Sequence, residues 1–253
     1  MNLEGHEGQR MNEYGVDLAR IHHEGHGELA RSAGPAVVTL LRQAGIRNGL
    51  VVDLGCGSGI LARHLVDSGY AVLGVDPSAA MLQLARRVAP AARFVRSRAE
   101  DVDLPRCVAV LATGESLTYV TRRAAPAAHL RRHIQRVSAA LIPGGLFIFD
   151  AIAESDPVPM NYRTWRATRD WAVLADVTED RRRHVVCRRI TTFARVRSTY
   201  RRSYTEHRVG VYARRTVLRE LRRRGFIART LAGYGAPPLA PRRLVFHARL
   251  AGH

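Results

Sequence analysis

Three glycines and two aspartates in the first third of the chain have the types and spacing needed to hold a nucleotide-like ligand. Residues 50–65 read as an apolar strand, a glycine turn and a helix, with Asp53 near the strand end and Gly55, Gly57 and Gly59 in the turn. Backbone N–H groups at such a helix start can face a ligand, because glycine places no Cβ in the way. The pattern therefore predicts a ligand-binding strand–loop–helix unit.

A second acid, Asp76, strengthens this interpretation. It ends a strand predicted over 71–75 and stands 23 residues after Asp53. An acid about 20 residues beyond a glycine turn is placed to accept both hydroxyls of a ribose diol. The G-x-G-x-G spacing also lacks the longer G-x-x-G step that a dinucleotide pyrophosphate uses. The spacing therefore favours a ribose-containing ligand other than a dinucleotide.

Residues 53–59, Asp-Leu-Gly-Cys-Gly-Ser-Gly, resemble the first motif, (D/E)-x-G-x-G-x-G, of the class I S-adenosylmethionine-dependent methyltransferases. Asp76 matches the second-strand acid of that family, and the Pro-Gly-Gly of residues 143–145 leading to Asp150 matches another family motif. The resemblance covers about residues 50–150 and a tail from about 214. It implies S-adenosylmethionine as cofactor, S-adenosylhomocysteine as product, and methyl transfer to a small-molecule acceptor.

The resemblance also implies which residues contact the cofactor. They lie in the glycine turn, at the ends of neighbouring strands and in the segments that follow, namely Asp53, Gly55, Cys56, Gly57, Gly59, Asp76, Pro77, Met81, Ala99, Glu100, Thr113 and Gly114. The acid that usually meets the adenine amine falls on Arg98 here, which departs from the family pattern. Glu100 or Ser97 could substitute, the contact could be through the backbone alone, or the segment could be a solvated turn.

Together the predicted elements and the resemblance give an α/β fold. We expect a Rossmann-like, seven-stranded, mostly parallel sheet with an antiparallel last strand, plus an antiparallel β insertion after the fifth strand. Period-two alternation predicts inserted strands at about 167–177, 184–195 and 200–212, with a turn at 178–180. The expected domains are a helical cap (1–45), a methyltransferase core (46–155 and 213–253) and the insertion (156–212).

Glu115 and Tyr119 follow the fourth predicted strand, whose carboxyl end faces ligands in open α/β sheets. Glu115 could orient the acceptor and take its proton, or it could serve only as an acid near a helix N-terminus. His22 and His207 are further catalytic candidates. Because methyl transfer is an in-line displacement that depends mainly on positioning, the sequence predicts no fixed catalytic triad.

In the resembled family, helices before the first strand cover the cofactor, which makes Tyr14, His22, His23 and His26 pocket residues. His22 and His26 are four residues apart, as two ligands on one helix would be, but the neighbouring glycines and the lack of a third ligand favour no metal site. Tyr204 and Arg202 on the inserted sheet are expected to contact the acceptor.

Charge is distributed unevenly along the chain. The net charge is +18, all 40 basic residues are arginine, and residues 151–253 hold 23 arginines against 8 acids. The total absence of lysine indicates a coding bias, although the clustered arginines could attract an anionic acceptor or an acidic carrier protein.

Two alternatives to a small-molecule enzyme stay open. One is an RNA or DNA methyltransferase, disfavoured because the fourth strand ends in Ala-Thr-Gly-Glu (112–115) rather than a (D/N)-P-P-(Y/F) motif. The other is a protein that binds S-adenosylmethionine as a sensor or for another reaction. With no apolar run long enough to span a bilayer, no signal-like N-terminus and three scattered cysteines, we expect a cytoplasmic protein without membrane partners. A homodimer through the inserted sheet is the expected assembly.

Overall fold

The computed structural model describes residues 14–122, 124–155, 158–235 and 239–252. Its helices are α1 (Val16–His26), α2 (Glu28–Gln43), α3 (Ile60–Asp67), α4 (Ala79–Val88), α5 (Pro126–Ala140) and α6 (Arg214–Arg223). Its strands are β1 (Leu50–Leu54), β2 (Ala71–Asp76), β3 (Arg93–Arg96), β4 (Cys107–Ala112), β5 (Leu141–Ala153), β6 (Asn161–Ala167), β7 (Trp171–Asp180), β8 (Val185–Val196), β9 (Thr199–Tyr212), β10 (Phe226–Leu231) and β11 (Arg243–Leu250).

The core is the expected seven-stranded sheet. Strands β3, β2, β1, β4 and β5 are parallel neighbours in that order. β11 pairs antiparallel with β5, and β10 pairs antiparallel with β11 at the edge of the sheet. The order places the carboxyl ends of β1, β2 and β4 side by side. Because ligands in open α/β sheets bind outside those ends, the topology brings the glycine turn next to the segment after β4.

Both faces of the core sheet are covered by helices. On one face Val52, Phe147 and Phe149 pack in a cluster that includes residues of α5 and α6. On the other face Val51 and Ile148 pack in a cluster that includes residues of α2 and α3. Adjacent residues of a strand point to opposite faces, so a strand buried on both sides is expected to be mainly apolar, as β1 and β5 are apart from Asp53 and Asp150.

The inserted strands form an antiparallel meander in the order β9, β8, β7, β6. Two parallel residue pairs, Ile152 with Val211 and Ala153 with Tyr212, join β9 to β5, so the meander continues the core sheet. One face of the meander packs inward through residues such as Trp171, Val186 and His207. The opposite face is open, and Trp165, which is 75% exposed, lies on it.

Several local predictions differ from the structure. β6 was not predicted, and residues 178–180 belong to β7, so the turn falls at 181–184. The glycines near His26 predict a break between two helices at residues 22–27, but α1 runs through His22 and Gly25 up to His26, and the break is limited to Gly27. The sequence also predicts a helix start near Pro35, which instead lies in the middle of α2.

Candidate active site

The glycine turn is tied to β2 through Asp76. One carboxylate oxygen of Asp76 accepts a hydrogen bond from the Gly57 N–H at 3.0 Å, and the other accepts from the Ser78 N–H at 2.8 Å. The Ser78 hydroxyl in turn caps α4 by accepting from the Met81 N–H at 3.1 Å. Gly57 has φ +52° and no heavy atom within 4 Å of the place where a Cβ would be. The turn is therefore a backbone cradle that is open on its ligand side.

Asp53 lies buried beneath this turn. It is 1% exposed, and neither carboxylate oxygen has a hydrogen-bond partner among the described residues. Burial, with a smaller contribution from the charge of Asp76, raises the pKa of Asp53 to about 7. An unpaired buried carboxylate calls for a cationic or hydrogen-donating ligand group. S-Adenosylmethionine carries an ammonium and a sulfonium, so the residues fit this cofactor.

Asp150, at the end region of β5, shapes the segment after β4. Its carboxylate accepts hydrogen bonds from the N–H groups of Gly114 at 2.7 Å and Glu115 at 2.8 Å, and from the Tyr234 hydroxyl at 2.8 Å. Glu115 consequently adopts a left-handed conformation with φ +64°. This anchoring directs the chain from Thr113 onward across the carboxyl end of the sheet.

The Glu115 side chain turns away from the cavity and is held by two arginines. Its carboxylate accepts two hydrogen bonds from Arg188, at 2.5 and 3.1 Å, and one from Arg243 at 3.0 Å. Burial raises the pKa of Glu115, but the charges and hydrogen bonds of these arginines outweigh burial and leave the pKa lowered. A carboxylate in this state is a weak proton acceptor, so the contacts favour an anchoring role.

Four ring side chains predicted as catalytic or acceptor-binding form one cluster. The Tyr14 ring centroid is 5.2 Å from that of His22 and 5.0 Å from that of His207, and the Tyr119 centroid is 5.4 Å from His207. Burial raises the pKa of both tyrosines, and burial, Arg188 and His22 lower the pKa of His207 to about 4. Tyr14, Tyr119 and His207 are therefore neutral near pH 7, and they can donate or accept hydrogen bonds.

Helix α1 covers the glycine turn. The His23 ring nitrogen Nδ1 is 2.9 Å from the Ser58 hydroxyl, and the Tyr14 carbonyl accepts a hydrogen bond from the Ser78 hydroxyl at 2.7 Å. On its outer side α1 is fixed to the inserted sheet, because Arg201 donates two hydrogen bonds to Asp17, at 2.7 and 2.8 Å. The helix thus links the cofactor half of the site to the inserted sheet.

A pair of histidines on α5, His129 and His133, also lines the cavity. They are 6% and 3% exposed, and their Nε2 atoms are 3.1 Å apart. Burial lowers the pKa of both imidazoles, for His133 to about 3. Sequence reasoning missed them, although two polar residues at i and i+4 on the apolar face of a predicted helix were a visible signal.

One cavity brings most of the predicted residues together. It is lined by all the expected cofactor contacts except Asp53 and Gly59, and by Tyr14, His22 and Tyr119. Asp53 lies behind its wall, and Gly59 is the N-cap residue of α3. Lining residues that were not predicted include Gly27, Leu29, Ala30, Ser58, Ile60, Leu61, Arg98, Ser116, Leu117, Thr121, His129 and His133.

Three predicted acceptor residues do not line this cavity, namely His23, which contacts Ser58 instead, Tyr204 and Arg202. Tyr204 and Arg202 lie on the open face of β9, because they alternate with His207, which points inward. Arg188, the residue opposite His207 on β8, comes near the ring cluster instead. The His26 side chain is outside the described residues.

Known proteins are similar to this chain in sequence and in fold. Residues 51–145 match the family described as a methyltransferase domain. Malonyl-[acyl-carrier protein] O-methyltransferase of Enterobacter lignolyticus is 30% identical over 59% of this chain and 56% of its own. dTDP-3-amino-3,6-dideoxy-alpha-D-glucopyranose N,N-dimethyltransferase of Streptomyces fradiae is 28% identical over 54% of each chain. The chain thus spans about half the length of the curated relatives it matches.

Among solved structures, the sugar N-methyltransferase KedS8 from a Streptoalloteichus species shares the fold with a TM-score of 0.77, at 18% identity over the whole of both chains. The fold and the matched segment define an α/β, Rossmann-like methyltransferase domain. Residues 51–145 are similar to methyltransferase domains, in agreement with the resemblance to the class I S-adenosylmethionine-dependent methyltransferases. Within the described residues, no helix is long and apolar enough to cross a membrane.

Proposed function

We propose that the chain transfers a methyl group from S-adenosylmethionine to a small-molecule acceptor. The observation that carries the proposal is one cavity lined both by the glycine turn with Asp76 and by the Tyr14, His22 and Tyr119 rings. The first set suits a nucleoside and the second suits a polar acceptor. The names of the two relatives, for a carrier-linked malonyl group and a dTDP-linked amino sugar, support such an acceptor over nucleic acid.

The residues perform the reaction mainly by positioning. When bound, S-adenosylmethionine supplies an already activated methyl group. The hydroxyls of Tyr14 and Tyr119, which share a hydrogen bond, are placed to orient the lone pair of an N, O or C nucleophile. Helix α1 and the buried ring cluster exclude water from the cavity.

Proton removal then depends on the acceptor. The lowered pKa of Glu115 disfavours it as the base that its sequence position suggested. Glu115 instead holds the Arg188 guanidinium beside the two tyrosines. His22, which lines the cavity, remains the best-placed base of the predicted set, and His207 supports the tyrosine rings from behind.

Mass spectrometry tests the proposal most directly. A metabolite extract is incubated with the purified chain and S-adenosylmethionine labelled with a deuterated methyl group, and we expect a small product heavier by one labelled methyl. Label in RNA or DNA would support the nucleic-acid alternative. Cofactor binding without any labelled product would support the sensor alternative and contradict the proposal.

Cofactor binding is tested separately by calorimetry. Asp76→Ala should weaken binding of S-adenosylmethionine by about 1–3 kcal/mol, because a charge-assisted contact and the support of the glycine turn are lost. Asp67→Ala is the matched control, because Asp67 forms only an exposed pair with Arg63 on α3. Equal affinity of the two variants would remove Asp76 from the cofactor site.

Assembly and location are also proposals. A homodimer through the inserted sheet is supported by the exposed rings of Trp165 and Tyr200 on its open face. Light scattering should give twice the monomer mass, and Trp165→Glu should halve it; a monomeric native chain would contradict the homodimer. Cell fractionation tests the expected cytoplasmic location.

A further inference from the structure

Helix α5 carries two histidines where its pattern calls for apolar residues. Leu130, Ile134 and Val137 of the same helix pack in the core, and His129 and His133 are buried beside them. Buried imidazoles cost free energy unless they make specific polar contacts. These two make such contacts, with each other at 3.1 Å and, for His129, with the Leu117 backbone, so a hydrogen-bonded polar pair occupies a helix face that otherwise packs in the core.

We propose that His129, His133 and Glu100 form a binding site for a divalent late first-row metal ion such as Zn²⁺ or Co²⁺. One ligand atom from each residue lies within 4.8 Å of the other two. Two imidazoles and one carboxylate are a donor set that such ions accept, with a fourth position left for water.

The spacing of the two imidazoles supports the site. Metal–nitrogen bonds of about 2.0–2.1 Å in a tetrahedral shell put two nitrogens roughly 3.3 Å apart. The Nε2 atoms of His129 and His133 are 3.1 Å apart, so the spacing suits an ion that replaces the hydrogen bond between the two rings. In addition, His129 forms a hydrogen bond with the backbone of Leu117, and metal-binding histidines commonly fix their rings in this way.

The third ligand is also held in place. Arg136 of α5 donates hydrogen bonds to the Ala99 carbonyl, at 2.5 Å, and to the Val102 carbonyl. These bonds fasten the segment that contains Glu100 to the helix that contains the histidines. Since all three ligands line the cavity, the fourth position of the ion would face it.

Nearby arginines oppose the ion and limit its affinity. Arg98 lies 3.6 Å from Glu100, in a pair in which both side chains are 39% exposed, so the ion would displace a weak surface contact. Arg132 and Arg136 add positive charge near the histidines. The site would accordingly bind more weakly than a closed structural zinc site, and it would fasten α5 to the segment after β3.

Titration of the metal-free full chain with Co²⁺ tests the proposal, because tetrahedral Co²⁺ bound to nitrogen and oxygen ligands absorbs strongly in the visible range. We expect this absorption to saturate at one equivalent of Co²⁺ and to disappear when Zn²⁺ is added. No cofactor or acceptor is present, so the result is independent of the methyltransferase proposal.

Variants assign the signal to the site. The double variant His129→Leu/His133→Leu should lose it, and His247→Gln, on β11, should keep it. Glu100→Gln changes an exposed side chain, should leave the fold intact as judged by circular dichroism, and should weaken Co²⁺ binding roughly tenfold. No visible band in the native chain, or equal Co²⁺ affinity in Glu100→Gln, would overturn the proposal even if the double variant does not fold.

Discussion

At the scale of single residues, Asp53 is a buried carboxylate whose two oxygens both lack a hydrogen-bond partner among the described residues. Its pKa of about 7 lies far above the ordinary value of 3.8. Since the folded protein binds this proton more tightly than the unfolded chain does, the contribution to stability is full below about pH 4. That contribution is lost as the pH rises through 7.

Asp53→Asn should therefore flatten the pH dependence of stability between about pH 4 and 7. At pH 8 the ligand-free variant should be more stable than the native chain, by up to roughly 4 kcal/mol, because no charge is left buried. Its affinity for S-adenosylmethionine should fall. Thermal unfolding at pH 5 and pH 8 measures the effect, with Asp67→Asn as an exposed control; a variant destabilised at pH 8 would mean that Asp53 is paired.

Glu115→Gln should destabilise the protein by up to about 3–5 kcal/mol. It removes the carboxylate that the partly buried Arg188 and Arg243 share, and among the described residues only Arg243 keeps a second carboxylate, Asp150 at 3.6 Å. Urea unfolding measures the change. Glu24→Gln, which removes only an exposed contact with Arg20, should have little effect. Unchanged stability together with lost turnover would restore Glu115 as the catalytic base that the sequence suggested.

Residue types predicted the cofactor-binding part of the site better than the part expected to bind the methyl acceptor. The glycine turn and Asp76 are adjacent along two consecutive strands, so local spacing was enough to identify them. Glu115 meets Arg188 and Arg243 from 73 and 128 residues away. No local pattern can indicate which arginine, among 40, closes such a pair.

At the scale of elements, α1 is the part on which both halves of the site depend. A Cβ at Gly25 would lie 2.8 Å from two ring atoms of Trp171 on β7. The α1 backbone at Gly25 is therefore too close to the inserted sheet to leave room for a side chain. Ile21 on the same helix packs in a cluster with Trp171 and Ala194. The position of His22 and His23 is therefore set by a strand far along the chain.

Gly25→Ala should push α1 away from Trp171 and weaken both cofactor and acceptor binding, with a loss of stability of about 1–3 kcal/mol from overpacking. Gly15→Ala is the matched control, because no atom lies within 4 Å of a Cβ placed there. Calorimetry with S-adenosylmethionine and thermal unfolding measure the two effects. Equal behaviour of both alanine variants would show that α1 is not held by Trp171.

The bounds of helices and strands could be predicted where buried and exposed residues alternate, and they could not be predicted where all residues are exposed. The sequence pattern of the tail predicts a helix at about 214–224, stopped by Gly225, and a strand at 226–231. The structure has α6 within one residue of the first and β10 at the second. All seven residues of β6 are exposed, so the edge strand has no alternation of buried and exposed positions to reveal it. Only its hydrogen bonding to β7 in the folded structure identifies it as a strand.

At the scale of the whole molecule, positive charge is concentrated in the C-terminal part of the chain, which includes the inserted sheet. Residues 151–253 hold 23 of the 40 arginines, and many of them lie on the inserted sheet rather than on the core. Such a distribution raises the local concentration of anions and is screened by salt. It favours an anionic acceptor or an acidic carrier.

If the acceptor found by isotope labelling is anionic, its KM should rise several-fold from low to high ionic strength while kcat changes little, because encounter rather than chemistry is screened. The KM of S-adenosylmethionine should change less. Steady-state kinetics in sodium chloride measure both, with sucrose at equal osmolality as the control. A salt-independent acceptor KM would show that the arginines do not attract the acceptor.

The bond between Asp17 and Arg201 has a consequence for how the chain is made. These residues are 184 positions apart, so α1 lacks its contacts with the inserted sheet until most of the chain has been synthesised. We expect the nascent core to fold with its ligand pocket uncovered and α1 to settle last. Ribosome-bound chains stalled before β9 should therefore expose α1 to protease, and full-length chains should protect it.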